Sequence, residues 1–69
     1  MKKQKTIWSE KLISIRETKQ WTQQELADQI GASRCSIIYW ENGYFTPNIH
    51  IQQKIDDLYF NTKNQQLTI

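Results

Sequence analysis

Few side chains of this 69-residue chain could do chemistry, and none has a catalytic arrangement. No pair of carboxylates stands in a catalytic context and no glycine-rich segment could cradle a phosphate, so nothing supports an enzyme. Cys35 and His50 are too few ligands for a zinc site, and the sequence therefore predicts no metal and no cofactor. One short stretch does carry side chains suited to binding a surface: Ser33, Arg34, Cys35, Ile38, Tyr39 and Asn42.

Three of these side chains match the chemistry of a nucleic acid duplex. The planar guanidinium of Arg34 fits the two acceptors that guanine presents in the major groove, and a phosphate contact is the alternative. Ile38 is an apolar side chain that gains nothing from exposure to water, and it could contact the methyl group of thymine. Tyr39 could bond a phosphate or a base edge through its hydroxyl, and packing against its own helix is an equally open alternative. Any of these contacts would require that the three side chains face outward from a single element.

Cys35 is the one reactive group in the chain. Oxidation of its thiol would place a polar group on the binding face and would make the protein a redox sensor. Alternatively, the thiol only fits against a thymine methyl group as a small apolar surface. We favour this second interpretation, because no second cysteine is present to resolve a sulfenic acid.

Two short predicted helices, joined by a tight turn, must position these side chains. Thr22 and Glu25 form a capping box that opens the first helix, and Gly31 can end it in the left-handed conformation. Ser33 can cap the second helix, which Gly43 ends. The sequence therefore predicts two helices with a turn of a few residues between them.

The spacing of the apolar residues indicates which side of each helix is buried. Leu26 and Ile30 share one face of the first helix, and the small residue Ala27 lies where the two helices must approach closely. Ile37 and Trp40 form the buried edge of the second helix. The binding side chains are therefore expected to point away from that edge.

This pattern resembles the helix-turn-helix of the Cro and lambda-repressor-like, or XRE-type, DNA-binding proteins. The residues that carry the resemblance have fixed types at fixed spacing: Arg16, Gln23, Leu26, Ala27, Gly31, Ser33, Ile37, Trp40, Glu41, Asn42 and Gly43. The resemblance implies an all-α fold, a compact lambda-repressor-like DNA-binding domain of four to five helices. It also implies a structural ion pair between Arg16 and Glu41, which would tie the first helix of the domain to the end of the second motif helix.

The outward face and the resemblance together predict a set of DNA contacts. Base contacts are expected from Ser33, Arg34, Cys35, Ile38 and Tyr39. Phosphate contacts are expected at the start of the first motif helix, where free amides form an anion site, and after the second: Thr22, Gln23, Gln24, Asn42 and Tyr44. No small-molecule ligand is evident.

A further helix is expected before the motif. Trp8, Leu12 and Ile15 have helical spacing, and Ser9 can cap the first turn. Gln20 stands where the resembled family commonly has glycine, so either a positive φ strains its backbone mildly or the turn differs slightly from that of the family.

The last expected helix begins near Pro47, with Thr46 or Asn48 as its cap. Four apolar or aromatic residues supply its inner face: Ile51, Ile55, Leu58 and Tyr59. Gln52 and Gln53 stand where the resembled family has apolar residues. This helix should therefore bury less surface than usual, or the glutamines face a partner.

Composition and charge limit the setting of the protein. A length of 69 residues with 38% apolar content allows one small domain, and the lone cysteine excludes an internal disulfide. We therefore expect a reducing, cytoplasmic setting, with dimerisation as a source of extra stability. The sequence shows no signal-peptide core and no membrane-spanning run. The net charge is only +2, but the first 22 residues hold six basic and two acidic side chains, a balance that phosphates would favour.

We divide the chain into a flexible basic N-terminal arm (residues 1–7), a helix-turn-helix domain (8–60) and a C-terminal tail (61–69) that could be disordered or a short strand across a dimer. The expected function is that of a sequence-specific double-stranded DNA-binding transcriptional regulator. With no effector domain in the sequence, it would be a Cro-like repressor that acts by operator occupancy, as a homodimer on a palindromic operator. Two alternatives stay open: an antitoxin or controller protein with a protein partner, or an interaction module that has lost DNA binding.

Overall fold

The computed structural model describes residues 6–67, and the side chains as far as Thr62. Four helices follow one another: α1 (Ile7–Lys19), α2 (Gln23–Ile30), α3 (Arg34–Asn42) and α4 (Ile49–Leu67). No strand occurs in this part of the chain, so the predicted all-α class is confirmed. None of the four helices is long and apolar enough to cross a membrane. Residues 1–5 of the predicted arm and residues 68–69 of the predicted tail lie outside the described residues.

The caps predicted for the two helices of the motif are present. Thr22 Oγ1 accepts a hydrogen bond from the Glu25 amide at 3.1 Å, and the Thr22 amide donates to Glu25 Oε1 at 2.8 Å. Gly31 ends α2 with a φ of +84°, and Gly43 ends α3 with a φ of +78°. Ser33 caps α3 through its hydroxyl. These local signals set the bounds of both helices and keep the turn between them short.

Helix α1 begins earlier than the sequence indicated. Thr6, not Ser9, is its cap: Thr6 Oγ1 accepts from the Ser9 amide at 3.1 Å, and the Thr6 amide donates to Ser9 Oγ at 2.7 Å. Ser9 is the third helical residue of this reciprocal capping box and is fully buried. The predicted cap was wrong because serine can serve at either position of such a box. Ile7 thus belongs to α1, although the sequence suggested that it is part of the arm.

Gln20 caps the C-terminal end of α1 and lies in the left-handed region with φ +59° and ψ +40°. Gln20 is the only non-glycine residue with a positive φ in the described part of the chain. This conformation costs a residue with a Cβ atom about 1–2 kcal/mol, so the predicted strain is present. The Trp21 amide donates to the Arg16 carbonyl at 3.0 Å and closes the turn into α2.

Helix α4 is capped by Asn48, one of the two predicted candidates. Asn48 Oδ1 accepts a hydrogen bond from the Ile51 amide at 3.0 Å. Pro47 precedes this cap instead of standing in the first helical turn, and it is buried. Its carbonyl accepts from Gln52 Nε2 at 2.8 Å, so Gln52 is used within the chain, whereas Gln53 is exposed.

The C-terminal end of α4 differs from the prediction. The helix continues to Leu67, so residues 61–67 are helical and do not form a strand or a separate tail. No glycine or proline interrupts the sequence after Pro47, and the Thr62 side chain is buried, with its hydroxyl donating to the Leu58 carbonyl at 2.8 Å. Helix α4 therefore extends beyond the expected boundary, because no residue breaks it and because Thr62 is buried. Hydropathy does not predict the burial of a polar residue such as Thr62.

One hydrophobic core lies between the four helices. Its fully buried side chains come from every helix: Leu12, Ile15, Leu26, Ala27, Ile30, Ile37 and Ile55. Trp40 is half-buried and packs against this core, so the inward direction predicted for it on α3 is confirmed. Helix α1 packs on α3 and α4, and α2 packs on α3, where the absence of a large side chain at Ala27 allows the close approach.

Candidate nucleic-acid interface

A carboxylate near the end of α3 joins three parts of the fold. Glu41 Oε2 accepts a hydrogen bond from Arg16 Nε at 2.7 Å, and Glu41 Oε1 accepts from Arg16 Nη2 at 3.1 Å. Gln23 Nε2 donates to the same Oε1 atom at 3.2 Å, and Arg16 Nη1 donates to the Trp21 carbonyl at 3.3 Å. The Glu41 side chain is only 7% exposed. The ion pair that the resemblance implied is therefore present, and it is bidentate.

This network determines how α3 is oriented. A bidentate contact between guanidinium and carboxylate restricts rotation as well as distance, because it consists of two roughly parallel hydrogen bonds. Glu41 is held in this way near the C-terminal end of α3, Ser33 caps its N-terminal end and Ile37 is buried between them. Helix α3 therefore presents a defined outer face to solvent.

Three of the predicted base-contacting side chains are exposed on the outer face of α3. Arg34 and Cys35 lie in its first turn, and Tyr39 follows one turn later with 44% of its surface exposed. Arg34 has no ion-pair partner within the described part of the chain. Its guanidinium is therefore available to an external acceptor, and Cys35 offers a free thiol beside it.

The other two predicted base contacts are less available. Ile38 is half-buried, not exposed as predicted, because it lies about 100° around the helix from the buried Ile37 and so at the margin of the packed face. Ser33 is exposed, but its hydroxyl accepts from the Ser36 amide at 3.2 Å and donates to Ser36 Oγ at 3.1 Å. Capping therefore occupies much of the hydrogen-bonding capacity of Ser33.

Three predicted phosphate contacts lie together at the start of α2. Thr22 and Gln24 are exposed, and the first backbone amides of the helix have no acceptor within it. The two glutamine side chains are already engaged, since Gln24 Nε2 donates to Asp28 Oδ1 at 3.0 Å and Gln23 is bound to Glu41. The Thr22 hydroxyl already accepts from the Glu25 amide, so the backbone amides of Gln23 and Gln24, more than the side chains, form the open anion site here.

The remaining two predicted phosphate contacts lie at the other end of the motif, after the turn out of α3. Asn42 is half-buried, and its Nδ2 donates to the Ile38 carbonyl at 2.9 Å. Tyr44 is half-buried, and its amide donates to the Tyr39 carbonyl at 3.0 Å. The five predicted contacts therefore form two groups, one at the start of α2 and one at the end of α3.

An aromatic cluster of Tyr39, Tyr44 and Phe45 links the outer face of α3 to the following loop. The ring centroids of Tyr39 and Tyr44 are 6.3 Å apart, and those of Tyr39 and Phe45 are 5.4 Å apart with perpendicular planes. The Tyr39 ring thus packs against the loop that follows α3, which differs from the predicted alternative of packing against its own helix. Sequence reasoning missed Phe45 as a site residue, because loop positions have no periodicity from which exposure could be predicted.

Comparison with known protein families identifies a match that covers most of the chain. The family model described as helix-turn-helix, HTH_3, matches residues 12–62, from α1 into α4. This range includes the ion pair, both motif helices and the aromatic cluster. No curated protein and no solved structure matches the chain. The chain belongs to the lambda-repressor-like, or XRE-type, helix-turn-helix family of DNA-binding proteins.

Proposed function

We propose that this helix-turn-helix protein is a Cro-like repressor, which binds a palindromic DNA operator as a homodimer and acts by occupying it. Helix α3 is the proposed recognition helix, and its base contacts come from Ser33, Arg34, Cys35, Ile38 and Tyr39. The phosphate contacts come from Thr22, Gln23, Gln24, Asn42 and Tyr44.

The contrast between the two faces of α3 is the observation that carries this proposal. Ile37 is fully buried, whereas Cys35 and Tyr39 are exposed on the opposite side of the same anchored helix and Arg34 is exposed in its first turn. The 9 residues of α3 extend about 13 Å, and the major groove, about 12 Å wide, admits a helix. Residues at the start of a recognition helix reach the base edges, and Arg34 lies at this position.

A homodimer supplies the binding that one short helix lacks. Only a few side chains of a single recognition helix reach base edges, so one copy distinguishes few base pairs. Two copies related by a two-fold axis would read two half-sites whose centres lie about 34 Å apart, one turn of the duplex. A repressor of this kind needs only to cover its operator and block polymerase.

Selection of bound duplexes from a random pool tests sequence-specific binding and symmetry together. We expect the wild type to enrich an inverted repeat with half-sites about one helical turn apart. The Arg34→Ala variant is the comparison, because an exposed side chain can be removed without disturbing the core. Enrichment of a single, non-repeated site would contradict the homodimer, and no enrichment would contradict sequence-specific binding.

Titration against random duplex at several salt concentrations separates a DNA-binding regulator from an interaction module. Binding of a protein to DNA releases counterions from the phosphates, and a rise in salt concentration opposes this release. The affinity of a DNA-binding protein therefore falls steeply as salt rises, whereas a pure protein adaptor shows no such dependence on salt. Gln52, one of the two residues that could have faced a partner, instead donates to the Pro47 carbonyl.

Transcription from a promoter carrying the selected site should decrease when the protein is added, and an increase would contradict repression.

A further inference from the structure

Phe45 is a large apolar side chain that lies outside the core. It follows the turn that ends α3, and 56% of its surface is exposed. Its ring meets the ring of Tyr39 edge to face, with centroids 5.4 Å apart and planes at 90°. Aromatic rings favour this arrangement, because the positive edge of one ring meets the negative face of the other. Phe45 therefore contacts a residue of the proposed recognition face without belonging to α3.

Tyr39 is restrained from a second side. The Tyr44 ring lies 6.3 Å from it, tilted by 54°, and the Tyr44 amide donates to the Tyr39 carbonyl at 3.0 Å. The left-handed conformation of Gly43, with a φ of +78°, turns the chain back so that both aromatic residues reach the helix. The Tyr39 hydroxyl makes no hydrogen bond with another residue of the described chain. The cluster thus holds the ring while its hydroxyl remains available.

We infer that Phe45 is a positioning residue for DNA recognition, which holds the Tyr39 ring in one rotamer so that its hydroxyl meets the duplex. The inference rests on the proposed function. An unrestrained tyrosine on a helix surface samples several rotamers and loses that freedom when it binds, whereas a ring that is already packed loses little. The usual cost of immobilising one side chain corresponds to about a threefold to tenfold change in affinity.

A double-mutant cycle on the selected duplex tests this inference. Phe45→Ala should weaken binding about threefold to tenfold for each half-site, and so about tenfold to a hundredfold for a homodimer that carries the substitution in both copies. Tyr39→Phe, which keeps the ring and removes the hydroxyl, should also weaken binding. In the Tyr39→Phe background, Phe45→Ala should have almost no further effect, because the group that Phe45 positions is absent. Phe45→Trp should restore most of the affinity, since it keeps an aromatic ring at this position.

Phe60→Ala is the matched control. Phe60 is also an exposed phenylalanine, with 64% of its surface accessible, but it belongs to α4 and its ring is not paired with Tyr39. Any effect of Phe60→Ala on affinity should therefore be the same in both Tyr39 backgrounds. All measurements are made well below the thermal unfolding midpoint of each variant, so that binding is compared between folded proteins.

Two results would overturn the inference. Equal losses from Phe45→Ala in both backgrounds would show that Phe45 acts independently of Tyr39, and unchanged binding by Phe45→Ala would show that it does not act at all. If the wild type selects a duplex and either of these results is obtained, the proposed function stands and only the role of Phe45 is rejected. A wild type that selects no duplex rejects the proposed function and the inference with it.

Discussion

Replacing Gln20 by glycine should make the domain more stable. Gln20 ends α1 with a φ of +59°, and its side chain is exposed and makes no hydrogen bond with another residue of the described chain. The left-handed backbone costs about 1–2 kcal/mol for a residue with a Cβ atom, and glycine adopts it readily. The substitution therefore removes strain from the folded state without removing a contact.

The size of the effect follows from two opposing terms. Relief of the strain favours glycine, but the greater freedom of glycine in the unfolded chain returns about 0.4–1 kcal/mol. We expect a net increase of about 0.5–1 kcal/mol in the free energy of unfolding. In a domain of this size, 1 kcal/mol shifts the unfolding midpoint by about 4–8 °C, so the midpoint should rise by about 2–8 °C.

Thermal and urea unfolding followed by circular dichroism measure this change. Gln53→Gly is the matched control, because Gln53 is exposed within α4, where glycine should lower stability by about 0.5–1 kcal/mol. The same substitution should thus have opposite signs at the two positions. Gln20→Ala should be nearly neutral, since it keeps the Cβ atom. A decrease with Gln20→Gly, or an equal increase with Gln20→Ala, would refute the argument from backbone strain.

Four further predictions concern the interface and the core. Arg34→Ala should cost about 1–3 kcal/mol of binding free energy on the selected duplex and relax one base pair per half-site in a repeated selection, because a bidentate contact is lost. Equal weakening on every duplex would assign Arg34 to a phosphate. Gln23→Ala should weaken binding of selected and random duplex alike in equilibrium titrations, because its Nε2 no longer donates to Glu41 Oε1 and so no longer helps to hold the phosphate-binding start of α2 against α3; a changed consensus with unchanged random binding would contradict this. Trp40→Ala should lower the unfolding free energy in urea by about 3 kcal/mol or more, because a large aromatic side chain is removed from the edge of the core, and an unaltered midpoint would place Trp40 outside it. Cys35→Ser should keep most of the DNA affinity and should resist an alkylating reagent that blocks binding by the wild type. If mild peroxide reversibly abolishes DNA binding by the wild type but not by the variant, Cys35 is a redox sensor.

Local chemistry explains why the motif could be predicted closely. The capping residues Thr22 and Ser33 act on amides within three residues of themselves, and Gly31 and Gly43 supply the left-handed ends. None of these signals depends on distant parts of the chain. The bounds of α2 and α3, and the inward face of α3, therefore follow from residue types and spacing alone.

The differences between prediction and structure arise where packing decides. Ser9 was a competent cap by type, but Thr6 uses it as the partner in a capping box. Thr62 is buried by the packing of α4, which extends the helix into a polar stretch. Ile38 is half-buried at the margin of a face, and Phe45 lies in a loop, so neither exposure could be predicted from periodicity.

The residues that anchor α3 and those that it exposes are largely different, and this separation bears on how such a protein evolves. Ile37 and Glu41 hold the helix, whereas Arg34, Cys35 and Tyr39 face solvent. Substitutions at exposed positions usually change stability by less than about 0.5 kcal/mol, which a small domain tolerates. Duplicated copies of this gene could therefore diverge at the exposed positions and acquire new operators while keeping one scaffold. A combinatorial library confined to those positions should consist mostly of folded proteins, and their binding preferences could be sorted directly.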